Sequence, residues 1–225
     1  MHWVNEMPEW DIPEDISQPL SVPESEGTQG EDSWFQARVG YISASRISDM
    51  LAGGKGVTRE KYLVQLAIER LTGIPSANGY KSSAMFRGNE LEPEARDSYN
   101  FINDVDVIEV GFIKHPVIDN FGASPDGCIG SDGLIEIKCP DSHVHIGYML
   151  NQKIPTPYVL QMQTQLACTG RKWVDFCSYN KDMPPRLRLF IMRVNRDEEK
   201  IRMIEKAVVE FDNEISILVE KLRAL

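Results

Sequence analysis

The chain has 225 residues, 42% of them hydrophobic and 26% charged, with a formal net charge of −10. That length and balance suit a single globular core of ordinary composition. No run reaches the roughly 18 apolar residues of a membrane span. The amino terminus is acidic and proline-spotted where a secretory leader is basic and then apolar, so a cytoplasmic protein is expected.

In chain order, residues 1–33 come first, with nine acids (Glu6, Glu9, Asp11, Glu14, Asp15, Glu24, Glu26, Glu31 and Asp32) and no Lys or Arg. Removing those nine from the 34 acids leaves 25 against 24 bases, so residues 34–225 are almost neutral and the net charge does not exclude a nucleic-acid partner. The acidic stretch, with Pro8, Pro13, Pro19 and Pro23, reads as an extended arm, either solvated or lying on a neighbouring subunit through Trp3 or Trp10. Residues 34–225 read as one domain.

Apolar residues at steps of three and four predict a helix over Arg59 to Leu71, ended by Gly73, and a second over Ser83 to Phe101. Val107 to Lys114 and Leu134 to Cys139 are predicted strands, rich in β-branched residues and bounded by Gly, Asp and Pro. Thr156-Pro157 predicts a helix start and Gly170 its end, near Thr169. Trp173 to Tyr179 and Leu187 to Asn195 are two further strands, and Ile201 to Leu222 a closing amphipathic helix. Strands interleaved with helices predict an α/β fold, a central mixed β-sheet flanked by helices. Cys128, Cys139, Cys168 and Cys177 include no close pair, which disfavours a zinc ribbon, an iron–sulfur site or a disulfide framework and predicts reduced thiols.

Chemistry concentrates in the stretch SPDGCIGSDGLIEIKCP, Ser124 to Pro140. On a strand, side chains two apart share a face, so Glu136 and Lys138 point one way and Ile135 and Ile137 the other. Gly127, Gly130 and Asp132-Gly133 are hairpin residues that can fold Asp126 back beside Glu136. Paired carboxylates repel unless a cation lies between them, and hard oxygens suit Mg²⁺, to which the Ile137 carbonyl could add a ligand. A metal there polarises a phosphoryl oxygen and activates water, while the Lys138 ammonium orients that water or offsets negative charge. The plainer alternative is a solvated edge strand beside a turn aspartate.

Gly88, Glu92, Ala95 and Tyr99 share a mostly small or apolar helical stripe, which makes Glu92 either a third metal ligand or an acid at the core margin. Pro93 should bend or open that helix. Tyr158, Gln161 and Gln165 form another stripe, on which Gln161 can hold a water or a phosphate oxygen. The AGGKG loop at 52–56 lacks the Lys-Ser/Thr end of a nucleotide P-loop; carrying Lys55 and nearby Arg59 to a phosphate backbone fits it better. His143 and His145 have no third metal ligand at matching spacing.

SPDG followed by EIK resembles the PD-(D/E)xK nuclease core. GNELEPEAR before it, YVLQMQ after it and WFQARVGYISASRI upstream resemble, in the same order, the YqaJ-like viral recombinase group, of phage lambda exonuclease type. The likeness spans residues 34 to about 180. It implies a restriction-endonuclease-like core and a Mg²⁺-dependent exonuclease (Mn²⁺ as substitute, two ions expected) that digests linear duplex DNA from the 5′ end. It also implies a ring-shaped homotrimer partnered by a single-strand annealing protein. Carried over, Glu92, Asp126 and Glu136 would hold metal, Lys138 would act on the water and Gln161 would support the site. Arg38, Ser45 and Ser124 match positions that bind the terminal 5′ phosphate, with Ser43 or Ser45 adding amide donors. Trp34 would stack on a base or lie in the core. The alternatives are a structure-specific or restriction-type endonuclease on the same core, and a DNA-end-binding protein without catalysis.

Overall fold

A computed structural model describes residues 22–52, 57–76 and 83–225 of the protein, with the backbone alone at 83–89. The most regular element is α7 (Glu198–Arg223), started by Asp197, whose side chain accepts from the Lys200 amide at 3.0 Å. Acids in its first turn and bases in its last complement the helix dipole. Ile201, Ile204, Val208, Phe211, Ile215 and Val219 face inward at the predicted spacing. They meet α3 (Val57–Thr72) through Tyr62, whose ring stacks on Phe211, and α6 (Thr156–Thr169) through Met162 and Leu166. Each such side chain stabilises the fold by about 1.5–3 kcal/mol when removed from water.

A five-stranded mixed sheet lies against this layer in the order β2 (Val107–Ile108), β5 (Gly127–Ile129), β6 (Gly133–Lys138), β7 (Trp173–Tyr179), β8 (Leu189–Asn195). Only β6 and β7 run parallel, in register from Gly133 opposite Trp173 to Lys138 opposite Ser178. Gly133 is required there, because a Cβ would lie 2.2 Å from the Trp173 ring. The alternation along β6 divides two cores. Leu134 joins Val174, Phe176 and α6, while Ile135 and Ile137 join Leu91, Ala95 and Tyr99 of α4 (Ser83–Asn103) on the other side. Helices on both faces of a mixed sheet are the predicted α/β arrangement.

A smaller sheet of β1 (Ile42–Ser43), β4 (Phe121–Ala123) and β3 (Ile113–Lys114) abuts the first. Short helices α1 (Asp32–Ala37) and α2 (Ile47–Met50) flank β1.

Several expectations change here. The single strand predicted over Val107 to Lys114 is two, β2 and β3, in different sheets. The chain leaves the larger sheet at Glu109, and residues 26–27 press against Gly111, where a Cβ would sit 2.0 Å from the Gly27 carbonyl oxygen; Glu26 bridges to Phe112. α4 runs through Pro93 without the expected opening. The strand predicted from Leu187 begins at Leu189, because Pro185–Leu187 is a 3-10 turn. His143 and His145 lie on α5 (Ser142–Asn151), where His145 is fully buried, bonded to Ser178 Oγ and the Leu187 carbonyl at 2.8 and 2.7 Å. Cys128, Cys168 and Cys177 are buried thiols outside any disulfide. Of the acidic arm, Trp3 and Trp10 lie outside the described residues, while Glu26 and Asp32 belong to the folded domain. No helix among the described residues is long and apolar enough to cross a membrane.

Candidate active site

β5 and β6 form a hairpin whose turn holds Gly130 at φ +51°, in the left-handed region that glycine tolerates. Arg171, 1% exposed, braces this turn: its Nη1 donates to the Gly130 and Gly133 carbonyls at 2.8 Å each and to Ile129 at 3.4 Å. Asp126 stands just before β5. Its amide donates to the Ile135 carbonyl at 3.2 Å, and its Oδ2 accepts from the Ile137 amide at 2.6 Å. The acid is thus tied to β6 through both its backbone and its side chain.

Glu136, 1% exposed, is surrounded by donors. Lys138 Nζ and Gln161 Nε2, the latter at 2.7 Å, both meet its Oε1, and Gln165 Nε2 meets its Oε2. The Lys138 ammonium also lies 5.1 Å from the centre of the Tyr158 ring. From the opposite face of the sheet, α4 brings Glu92, whose Oε1 accepts from Arg96 Nη2 at 2.7 Å. Arg96 also pairs with Glu109 at 2.5 Å.

The three acids sense one another. Burial first, then the charges of Glu136 and Glu92, push Asp126 well above the ordinary carboxylate range. Burial also raises Glu92, with Arg96 opposing it and Glu136 adding to the rise. At Lys138 burial acts to lower the pKa, but Glu136 and Asp126 outweigh it and the net shift is upward, which holds the ammonium charged. Among the described residues no group of three His, Cys, Asp or Glu side chains is placed to hold a metal ion. The donor set nevertheless fits a hard divalent ion in kind: carboxylate oxygens that repel each other, which such an ion would relieve. In the conformation described, protein cations answer those acids instead, Arg96 at Glu92 and Lys138 at Glu136.

A second group of expected residues gathers beside the first. Trp34 Nε1 donates to Ser124 Oγ at 2.9 Å, two residues before Asp126. The Arg38 guanidinium lies over the Trp34 ring, 4.0 Å from its centre, and among the described residues has no hydrogen bond or ion pair. Burial lowers its pKa, with Tyr62 and Glu69 opposing and Arg46 reinforcing the shift, yet an arginine stays charged. Ser43 Oγ is 3.5 Å from Ser45 Oγ. One expectation changes, since the Ser43 amide already donates to the Tyr62 hydroxyl at 3.1 Å; Trp34 is half-buried rather than in the core, engaged by Arg38 and Ser124. Lys55 lies outside the described residues.

Sequence reasoning missed Arg96, Arg171 and the role of Gln165. Arg96 follows Glu92 by four residues and Gln165 follows Gln161 by four, the helical spacing that places side chains on one face. Nothing local marks Arg171.

Residues 33–172 match the family model described as YqaJ-like viral recombinase domain. Among solved structures, an alkaline exonuclease from Laribacter hongkongensis is 43% identical, with 86% of this chain and 97% of that chain covered and a TM-score of 0.80. Its complex with dAMP matches over the same shares at 0.81. A phage related exonuclease from Haemophilus somnus, 16% identical, covers 81% of this chain and 96% of its own at a TM-score of 0.68, a likeness of fold. An uncharacterized protein of Acanthamoeba polyphaga mimivirus is 27% identical over 169 residues, 69% of this chain. The chain spans only 29% of that relative's length. The α/β core is accordingly of the restriction-endonuclease-like type.

Proposed function

Because the chain belongs to the YqaJ-like viral recombinase family, we propose that it is a DNA exonuclease that hydrolyses linear duplex DNA with Mg²⁺. In this reading it starts at a 5′-phosphorylated end and leaves 3′ single-stranded tails for recombination by strand annealing. One juxtaposition carries the reading. Ser124 links the Arg38 guanidinium, which has no ion pair among the described residues, through Trp34 to the segment that holds Asp126, so a candidate anion site and the acidic centre adjoin. A phosphate gripped at Arg38 sets a neighbouring phosphodiester toward the carboxylates.

Asp126, Glu136 and Glu92 would hold the metal, with the Ile137 carbonyl beside them. When bound, Mg²⁺ polarises a phosphoryl oxygen and lowers the pKa of the attacking water. Lys138, held charged by its acid neighbours, serves as a fixed positive charge that orients water and offsets negative charge on the phosphoryl oxygens, and not as a base. Gln161 keeps Glu136 turned toward the centre. Arg38 grips the terminal phosphate, Ser124 and the exposed Ser45 offer hydroxyls near it, and Lys55 would touch the DNA backbone. The same reading makes the protein one subunit of a ring-shaped homotrimer that works in the cytoplasm with a single-strand annealing protein. The near-neutral balance of residues 34–225 is compatible with this, since a closed ring retains DNA by topology and only its channel must be basic.

Linear duplexes bearing a 5′ phosphate or a 5′ hydroxyl, incubated with Mg²⁺ or EDTA and resolved by strand, test the proposal. Shortening of the 5′-ended strand, faster with phosphate and abolished by EDTA, is expected. Loss of the 3′-ended strand first would overturn the polarity, and cutting of closed circles would favour an endonuclease.

A further inference from the structure

Glu136 is the acid with the most donors around it, and they are unevenly shared. Lys138 and Gln161 both meet Oε1, whereas among the described residues the only donor at Oε2 is Gln165. Gln165 is 0% exposed, and its other polar atom, Oε1, is buried with no partner. A side chain needed only to fill that space would be apolar, because an unmatched buried carbonyl is unfavourable. The orphan oxygen follows from the orientation of the amide. Turned about, the carboxamide would face a carboxylate oxygen with its own carbonyl oxygen, acceptor against acceptor. The orientation present is the one that an ionised Glu136 demands.

We infer that Gln165 is a positioning residue for Glu136: its amide fixes the rotation of that carboxylate, so that both oxygens are set before a divalent cation and DNA arrive. Without it, Oε1 stays tethered by Lys138 and Gln161 while Oε2 is free to swing. The inference rests on the metal-dependent nuclease reading and adds to it a residue outside the EIK and YVLQMQ stretches. Gln163, on the same helix and 1% exposed, is the natural control. It bonds the Asn195 carbonyl and the Asp197 amide at 2.8 and 2.9 Å, joining α6 to the strand–helix corner and not to Glu136.

The test compares the native protein with Gln165→Met and Gln163→Met, both close in shape and lacking the amide. Mn²⁺ binding to the DNA-free proteins is followed by electron paramagnetic resonance, and kcat and KM are measured on a 5′-phosphorylated duplex. Outer partners of metal ligands typically matter by roughly 10–100-fold. Gln165→Met is therefore expected to weaken Mn²⁺ binding and lower kcat by about that factor, with KM for DNA within about twofold, while Gln163→Met changes neither. Equal behaviour of the two variants would overturn the inference. Should Gln165→Met fail to fold, the side-chain amide resonances of Gln165 in the native protein decide: slow exchange and a shift on adding Mg²⁺ support it, and rapid exchange with no response overturns it. A native protein that binds no Mn²⁺ and leaves DNA intact would overturn the nuclease reading itself. An active native protein with indifferent Gln165→Met overturns only the role of Gln165.

Discussion

The acidic centre and the Arg38 corner, joined through Trp34 and Ser124, solve opposite electrostatic problems side by side. At the centre protein donors meet each acid: Lys138, Gln161 and Gln165 at Glu136, Arg96 at Glu92, the Ile137 amide at Asp126. At the corner a half-buried guanidinium is stacked on Trp34 and, among the described residues, has no ion pair, although it feels the charge of Glu69. The difference teaches what each is built for. In the function proposed, the answered charges of the centre are held in place for chemistry, and the Arg38 guanidinium, without an ion pair in a partly desolvated spot, is prepared to receive an anion from outside.

The contrast breaks most sharply at Lys138. Removing the ammonium in Lys138→Ala should lower kcat by roughly 10²–10³-fold, the usual effect of losing one preorganised charge stabiliser, with binding of duplex ends retained. Single-turnover digestion checks this, and native rates in the variant would remove the lysine from the mechanism. Next in size, Arg38→Ala should erase the advantage of a 5′ phosphate over a 5′ hydroxyl. Charge-assisted bonds worth about 1.5–3 kcal/mol correspond to roughly 10–100-fold in kcat/KM, on the phosphorylated substrate alone.

Arg171 sharpens the comparison from the structural side, since its charge is buried against carbonyls rather than facing a ligand. Arg171→Met strips the hairpin turn of those bonds and should destabilise the fold by about 1–3 kcal/mol, read from the urea midpoint. At the acids, the folded pKa values of Asp126 and Glu92 are raised, so the folded state prefers their protonated forms. The stability they contribute is present below the ordinary carboxylate pKa of about 4 and is lost as pH rises through the raised values. The Mg²⁺ proposed to sit between these acids would bind their ionised forms, so its increment in melting temperature should be larger at pH 8 than at pH 5. An equal increment at both would place the ion elsewhere. The smallest effect belongs to Trp34→Phe, which keeps the ring under Arg38 but loses the bond to Ser124; a decrease of about threefold to tenfold on phosphorylated ends is expected, the worth of one hydrogen bond.

Much of the frame was legible because local signals were strong. The predicted bounds of α6 and β7 coincide with those observed, and α6 ends at Gly170 with φ +68°. The inward face of α7 follows its three–four spacing. The switch between sheets at 109–112 was not legible, since it depends on residues 26–27 passing beneath Gly111, a contact distant in sequence. α5 escaped because its buried residue is His145, paired across the fold with Ser178. In the site, the pairing of Glu136 with Lys138 followed from strand alternation, and the hairpin glycines brought Asp126 back to it. The hold of Arg96 on Glu92 and of Gln165 on Glu136 depended on which helix covers which face of β6, and Arg171 on which loop lies beneath it.

The central claim is that the acids gathered around β6 form a phosphodiester-cleaving centre fed by an anchored 5′ phosphate. Single-turnover digestion of a 5′-phosphorylated linear duplex by the native protein and by Glu136→Gln, in Mg²⁺ and at matched end binding, tests it most directly. The account predicts that the native protein shortens the 5′-ended strand and that Glu136→Gln is slower by about 10²-fold or more. Equal rates for the two proteins would contradict it.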